Sequence, residues 1–267
     1  MDSALDLPTP SLSLSLPHIR YQLIRLEDTV LFHLIERAQF PLNPSIYTPG
    51  AISIPSSDLS FSDWVLREQE ALQSKIRRYQ SPDEHPFFED AMQEPFLPRL
   101  QYPKILWENT VNVNGRLKEA YIKNILPACC KKAERPERVQ DSQENYGSSA
   151  TADVSALQSL SRRVHFGKWV AESKFQSQTE LFVKLIKAGD GKGIDAAITD
   201  AAVERKVLER LQLKAEMYGV DAGLEEGGAR KIEGEMVVAM YRDIVIPLTK
   251  IVEVDYLMQR LKGTEWE

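Results

Sequence analysis

From Leu157 to Phe175 the chain reads Leu157-Gln-Ser-Leu-Ser-Arg-Arg-Val-His-Phe-Gly-Lys-Trp-Val-Ala-Glu-Ser-Lys-Phe175. Apolar Leu157, Leu160, Val164, Val170 and Phe175 recur at helical spacing, so this stretch predicts a helix that is largely buried. Arg163 and Lys174 lie eleven residues apart in it, about three helical turns, which predicts that both side chains leave one face. Cations on a half-buried helix are costly unless an anion meets them. Two readings are open: buried glutamates as structural partners, or a small, highly charged anionic ligand.

The same periodicity runs through most of the 267 residues, and strand-type alternation is rare. Helices are predicted at Ile19 to about Arg37, Ser60–Tyr79 with Ser62 or Asp63 as N-cap, and Asn114 to about Lys132 interrupted by Pro127. Others follow at about Ser149–Phe175, Thr179–Lys187, Ile194–Tyr218 without interruption, and Gly234–Leu261 carrying Pro247. Residues 41–58, with four prolines and one glycine, predict an excursion loop, and 133–148 and 219–230 predict two long polar loops. Neither half of the chain looks able to cover its own apolar faces. The expected architecture is therefore one all-α domain over 1–267, a multi-helix bundle with long helices and a terminal arm at 1–15.

Composition narrows the function classes. A net charge of -6 argues against a nucleic-acid surface, which needs a basic stripe. No apolar run reaches the length of a membrane span, and the acidic start Met1-Asp-Ser-Ala-Leu-Asp is a poor signal or transit peptide. The two cysteines, Cys129 and Cys130, are adjacent and build neither a disulfide framework nor a metal site alone, which suits a reducing, cytoplasmic setting. His18, His33, His85 and His165 are scattered without metal-ligand spacing, and His165 reads as a core histidine. No nucleophile elbow, Walker loop or dinucleotide fingerprint is present, so no metal and no cofactor is expected.

Several charged positions carry both a bland and a functional reading. Arg20 opens the first helix with Glu27 seven residues on; a solvated cation is the bland reading. Asp200 and Glu204 are spaced i, i+4 among small apolar residues, which suggests partial burial. Thr249 and Glu253 share that spacing beside Val252, Val254 and Ile244–Ile246. A carboxyl in such surroundings has its pKa raised. Arg77-Arg78 closes the second helix, as a C-terminal cap or as a site for a carboxylate effector.

Four segments in order, Ile76-Arg-Arg-Tyr-Gln-Ser-Pro-Asp-Glu84, Leu157 to Lys168, Ala201-Ala-Val-Glu204 and Ile244-Val-Ile-Pro-Leu-Thr-Lys250, closely resemble the all-helical, yeast-type chorismate mutases of fungi and plants. The resemblance runs from Ile19 to about Leu261. It implies rearrangement of chorismate to prephenate, with Arg20 and Arg163 on the two substrate carboxylates and Lys174 and a protonated Glu253 donating to the ether oxygen. Glu204 would accept from the substrate hydroxyl, and Thr249 would line the pocket. The family pattern has asparagine where this chain has Asp200, which is kept as a site-lining position. The resemblance further implies a homodimer activated by tryptophan and inhibited by tyrosine. Its effector site would use Arg77, Arg78, Asn145, Gly147, Ser148 and Thr151, with Asn145-Tyr-Gly-Ser148 as a turn. A threonine tied to the family's switch is replaced by Glu233. The rival expectations are a catalytically impaired aromatic amino-acid sensor on the same fold and a plain helical scaffold.

Overall fold

A computed structural model describes residues 9–130, 141–220 and 230–267. Its long elements are α1 (Leu16–Ala38), α2 (Phe61–Lys75), α3 (Asn114–Ala120), α4 (Leu126–Cys130), α5 (Tyr146–His165) and α6 (Gly167–Ser177). After these come α7 (Thr179–Lys187), α8 (Gly191–Ile198), α9 (Ala201–Tyr218), α10 (Gly234–Met240) and α11 (Ile246–Gln259). Among the described residues the only β-type pairing is one isolated bridge, Ile54 to Ser57. The fold is all-helical, as the periodicity predicts. Residues 133–140 of the first predicted loop, 221–229 of the second, the end of the third helix at Lys132, and residues 1–8 of the terminal arm lie outside the described residues.

α5 is the central rod. α1 packs along it, α2 covers another side, and α11 crosses it and α6. Val30, Leu31 and Leu34 of α1, Val154, Leu157, Leu160 and Val164 of α5, and Val252, Tyr256 and Leu257 of α11 meet in one buried cluster. The interruption expected at Pro127 and the helix expected to carry Pro247 take the same form. Tyr121–Ile125 and Tyr241–Val245 are π turns placed just before Pro127 and Pro247. A proline cannot donate to the carbonyl four residues earlier, and one wider turn re-registers the ladder around that gap.

Three predicted boundaries are corrected. The helix expected over 149–175 starts at Tyr146 and breaks at Phe166, where Trp169 N–H donates to the Phe166 carbonyl and the two rings stack 5.0 Å apart. Arg163 and Lys174 therefore sit on different helices. The helix expected over 194–218 breaks at Thr199–Asp200, because the Asp200 carboxylate caps α9 by accepting from Ala202 and Val203 N–H at 3.0 and 3.1 Å. Short acidic side chains compete for backbone donors in this way. Finally, α2 is capped by Ser60, whose hydroxyl accepts from Asp63 N–H, and it ends at Lys75 rather than Tyr79. Arg77 beyond it adopts a left-handed φ of 70°.

The proline-rich stretch after α2 is a strap tied to the helices at successive points. Tyr102 Oη donates to Gln80 O at 2.9 Å, Trp107 N–H donates to Tyr256 Oη at 3.2 Å, and Val113 N–H donates to His165 Nε2 at 3.0 Å. Beneath it Lys168 is buried, donating to Val111 O and facing His85 Nε2, both at 2.7 Å, while the His85 and His165 rings stack at 4.1 Å. His165 is thus the core histidine that the sequence suggested.

Candidate active site

Two arginines are buried against α5, and they differ in one respect. Arg37 is fully partnered: Nε donates to Asp153 Oδ1 at 2.6 Å, and its remaining N–H groups reach the carbonyls of Phe40, Pro41 and Leu42 and the Tyr47 hydroxyl. Arg163 is 5 % exposed, yet no group among the described residues accepts from its Nε or Nη1. Its guanidinium lies 5.7 Å from the centre of the Tyr241 ring, and the Tyr241 hydroxyl is also buried without a partner. Protein interiors satisfy such groups almost everywhere. Unmet donors concentrated at a buried cation mark a place prepared for an anion.

The acid beside it is Glu253, on α11 and buried. Burial is the main cause that lifts its carboxyl to a pKa of about 8, raised a little further by Asp195 and opposed by the positive charges of Lys174, Arg163 and Lys250. Those couplings place Lys174 of α6 and Arg163 of α5 around the same carboxyl. Thr249, one turn before Glu253, is buried and donates to Val245 O at 2.7 Å. The junction between α5 and α6 comes close to this turn: a Cβ on Gly167 would stand 3.0 Å from Thr249 Cγ2 and 3.1 Å from Glu253 Cγ. Lys174 itself donates to the Ile198 carbonyl at the end of α8.

The other anticipated residues lie further out. Glu204 on α9 is half-buried and ion-paired with Lys250 Nζ at 2.7 Å. Asp200 is exposed and occupied in capping α9, so its expected partial burial is not found, and no ion pair joins it to Lys174 among the described residues. Arg20 is exposed on α1. Glu27, expected on the same face as Arg20, is instead wholly buried, where it accepts from Arg210 at 2.7 and 2.8 Å and pairs with Lys214 at 3.3 Å.

The anticipated effector residues fall into two groups. Gly147, Ser148 and Thr151 belong to the first turns of α5, not to a loop turn, and line an open groove of about 620 Å³ with His33, Glu36 and Phe40 of the α1 end. Asn145 stands just before α5 and donates to Ser142 Oγ at 3.2 Å. Arg77 donates to Pro98 O at 2.9 Å, and Arg78 pairs with Glu84 at 3.1 Å. His33 is held below its ordinary pKa, first by burial and in smaller part by the positive charge of Arg78. Glu233 lines a separate groove between α10 and the π turn at Tyr121–Ile125.

Four participants escaped the sequence reading. Gly167, Tyr241, Lys250 and His33 have no distinctive spacing, and each matters through a neighbour from a remote helix. Only Gly167 left a trace, as a glycine inside an otherwise helical run.

The family described as chorismate mutase type II matches residues 145–254. A chorismate mutase of Emericella nidulans is 61 % identical over 267 residues, covering 100 % of both chains. The crystal structure of Aro7p chorismate mutase from Candida albicans in complex with L-Trp superposes with a TM-score of 0.91 at 45 % identity, covering 98 % of this chain and 97 % of that one. A solved structure of AtCM1 with tyrosine bound in its allosteric site gives a TM-score of 0.83 at 39 % identity, covering 94 % and 98 %.

Proposed function

Since the chain belongs to the chorismate mutase family, we infer that it is an isomerase converting chorismate to prephenate, on the way to phenylalanine and tyrosine. The observation that carries the site assignment is the buried, unpartnered Arg163 beside a carboxyl that stays protonated near neutrality.

The reaction is an intramolecular rearrangement and needs no nucleophile from the protein. It needs a flexible dianion held compactly and negative charge on the ether oxygen stabilised as the C–O bond breaks. Arg163 offers guanidinium N–H groups to one carboxylate, and Arg20, exposed on α1, is the proposed partner of the other. Lys174 and protonated Glu253 approach from different helices as the two donors to the ether oxygen. Each donor of this kind is worth about 3 kcal/mol in the transition state. An ionised Glu253 would instead repel the substrate, so burial of this carboxyl is part of the chemistry. Glu204 is the acceptor for the substrate hydroxyl, and Thr249 completes the wall; Asp200 acts there only as the residue that starts the Glu204 helix.

Tryptophan and tyrosine are the proposed effectors, as activator and inhibitor. The groove at Gly147, Ser148 and Thr151 supports this reading, and so do the amino acids bound in the Candida and AtCM1 structures. A homodimer is the proposed assembly. Leu72, Ile76, Phe96 and Leu97 are exposed at the end of α2, next to Arg77 and Arg78, and a second copy would cover them. No helix among the described residues is long and apolar enough to cross a membrane, and a cytoplasmic setting is proposed.

The direct test is to add chorismate and follow loss of its diene absorbance. Turnover that disappears in Arg163→Ala supports the assignment. Binding of tryptophan or tyrosine without any turnover would instead make the chain a sensor.

A further inference from the structure

We propose that Lys250 is a positioning residue of this active site: its ammonium anchors the Glu204 carboxylate from a place one helical turn before Glu253. The inference rests on the roles just assigned to the two glutamates and adds a residue that neither needs to touch the substrate nor was assigned a role there.

The geometry is specific. Lys250 Nζ stands 2.7 Å from Glu204 Oε1, bridging α11 to α9. Glu253 is three residues further along α11, so both side chains leave the same face. Lys250 is the third of the cations acting on Glu253, after Lys174 and Arg163, and Asp195 of α8 acts in the opposite sense. Glu204 and Lys250 together line a groove of about 510 Å³, whose other charged groups are Lys192, Asp195, Arg242 and Asp255. Arg242 is engaged by its neighbour Asp243 at 2.8 Å, and no ion pair is formed there by Lys192 among the described residues. Lys250 is therefore the cation that meets Glu204.

The chemical reason for such a pair is charge. Glu204 must be an ionised acceptor for the hydroxyl, yet a bare carboxylate opposes entry of a dianion. Pairing with Lys250 cancels the net charge while leaving the second carboxylate oxygen to accept. At Glu253 the same ammonium works in the other direction, favouring ionisation. Lys250 thus lowers the cost of binding and draws the upper pH limit of the donor down, against the larger effect of burial.

The test compares Lys250→Met and Lys250→Arg with the parent enzyme over a pH series, with Glu253→Gln as the control. Both lysine variants change a side chain about 29 % exposed, so folding should survive. In Lys250→Met, KM for chorismate should rise about tenfold, the loss of one charge-assisted contact. The alkaline limb of kcat/KM should move up by roughly half a pH unit or more. Lys250→Arg should restore both. A merely structural lysine would move neither the limb nor the balance between KM and kcat. If Lys250→Met keeps the parental KM and limb while Glu253→Gln abolishes the limb, this inference is wrong and the donor assignment stands. If Glu253→Gln keeps the limb, the donor assignment fails and takes this inference with it.

Discussion

Gly167 leaves no room for a side chain against Glu253 across two helices: a methyl group on residue 167 would sit 3.1 Å from Glu253 Cγ, tighter than ordinary van der Waals contact. The break between α5 and α6 therefore lies close against α11. Gly167→Ala should push these elements apart, because the added carbon also meets the Thr249 carbonyl at 3.1 Å, a backbone atom that cannot rotate away. Expected are a destabilisation of about 1–3 kcal/mol and a loss in kcat larger than that in KM, read by denaturant unfolding and steady-state kinetics. Parental kcat would show that the junction does not control donor placement.

Arg163→Ala and Arg37→Ala should separate function from stability. Removing Arg37 leaves Asp153 buried without its cation, at a cost of about 3–5 kcal/mol. Removing Arg163 deletes a buried charge that has no anionic partner among the described residues, so the thermal midpoint should stay near the parental value or rise, while turnover falls by about 10²- to 10³-fold or more. A large loss of stability in Arg163→Ala would mean that its guanidinium is structurally paired after all.

Glu253 gives two pH signatures, one in activity and one in stability, and both fade as pH rises. Its pKa of about 8 lies above the ordinary carboxyl value of 4.5, so the donor is lost as pH rises through about 8. Glu253→Gln should retain a donor and flatten that alkaline limb. For stability, the folded state holds a proton that the unfolded state has released between those two values. The stabilisation is complete below 4.5 and disappears as pH climbs through 8. Urea midpoints of parent and Glu253→Gln at pH 5 and pH 9 measure it; parallel pH trends would rule it out.

Lys168 should act with the reverse sign. Burial lowers its pKa from 10.5 to about 7, so across that window the unfolded chain binds a proton that the folded protein does not. Its contribution therefore increases as pH rises from 7 to 10.5, with a slope of about 1.4 kcal/mol per pH unit. Lys168→Met should remove this slope, measured as the difference in unfolding free energy from the parent at pH 7 and pH 9.5. An equal slope in both proteins would place the proton elsewhere.

Arg78→Ala should blunt the tryptophan response by more than it lowers the basal rate. Arg78 lies beside the proposed interface and is joined to Glu84, which in turn approaches Arg162 at 4.0 Å, one residue before Arg163. Activity titrated with tryptophan decides the matter: an unchanged activation curve removes Arg78 from the effector site.

How far the chain could be read differed from residue to residue. The ranges of α1 and α7, the proline interruption at Pro127, and the protonated character of Glu253 follow from local patterns: apolar period, a missing N–H, a carboxyl among aliphatic neighbours. The breaks at Phe166 and Thr199 did not show, because ring stacking and a capping carboxylate override helix propensity only once the surrounding helices have set the direction of the chain. The same limit governs the site.

Arg163, Lys174 and Glu253 were legible as residue types with unusual surroundings, since burial can be inferred from periodicity along a single helix. Their convergence was legible only through the family resemblance, and the fully partnered Arg37, the Arg163 that lacks an acceptor among the described residues, and the bridge from Lys250 to Glu204 were not legible at all. Sequence by itself fixes which groups are carried into the interior. Which of them find an opposite charge there depends on how helices distant in the chain cross, because electrostatic pairing acts over a few ångströms of space and is blind to separation along the backbone.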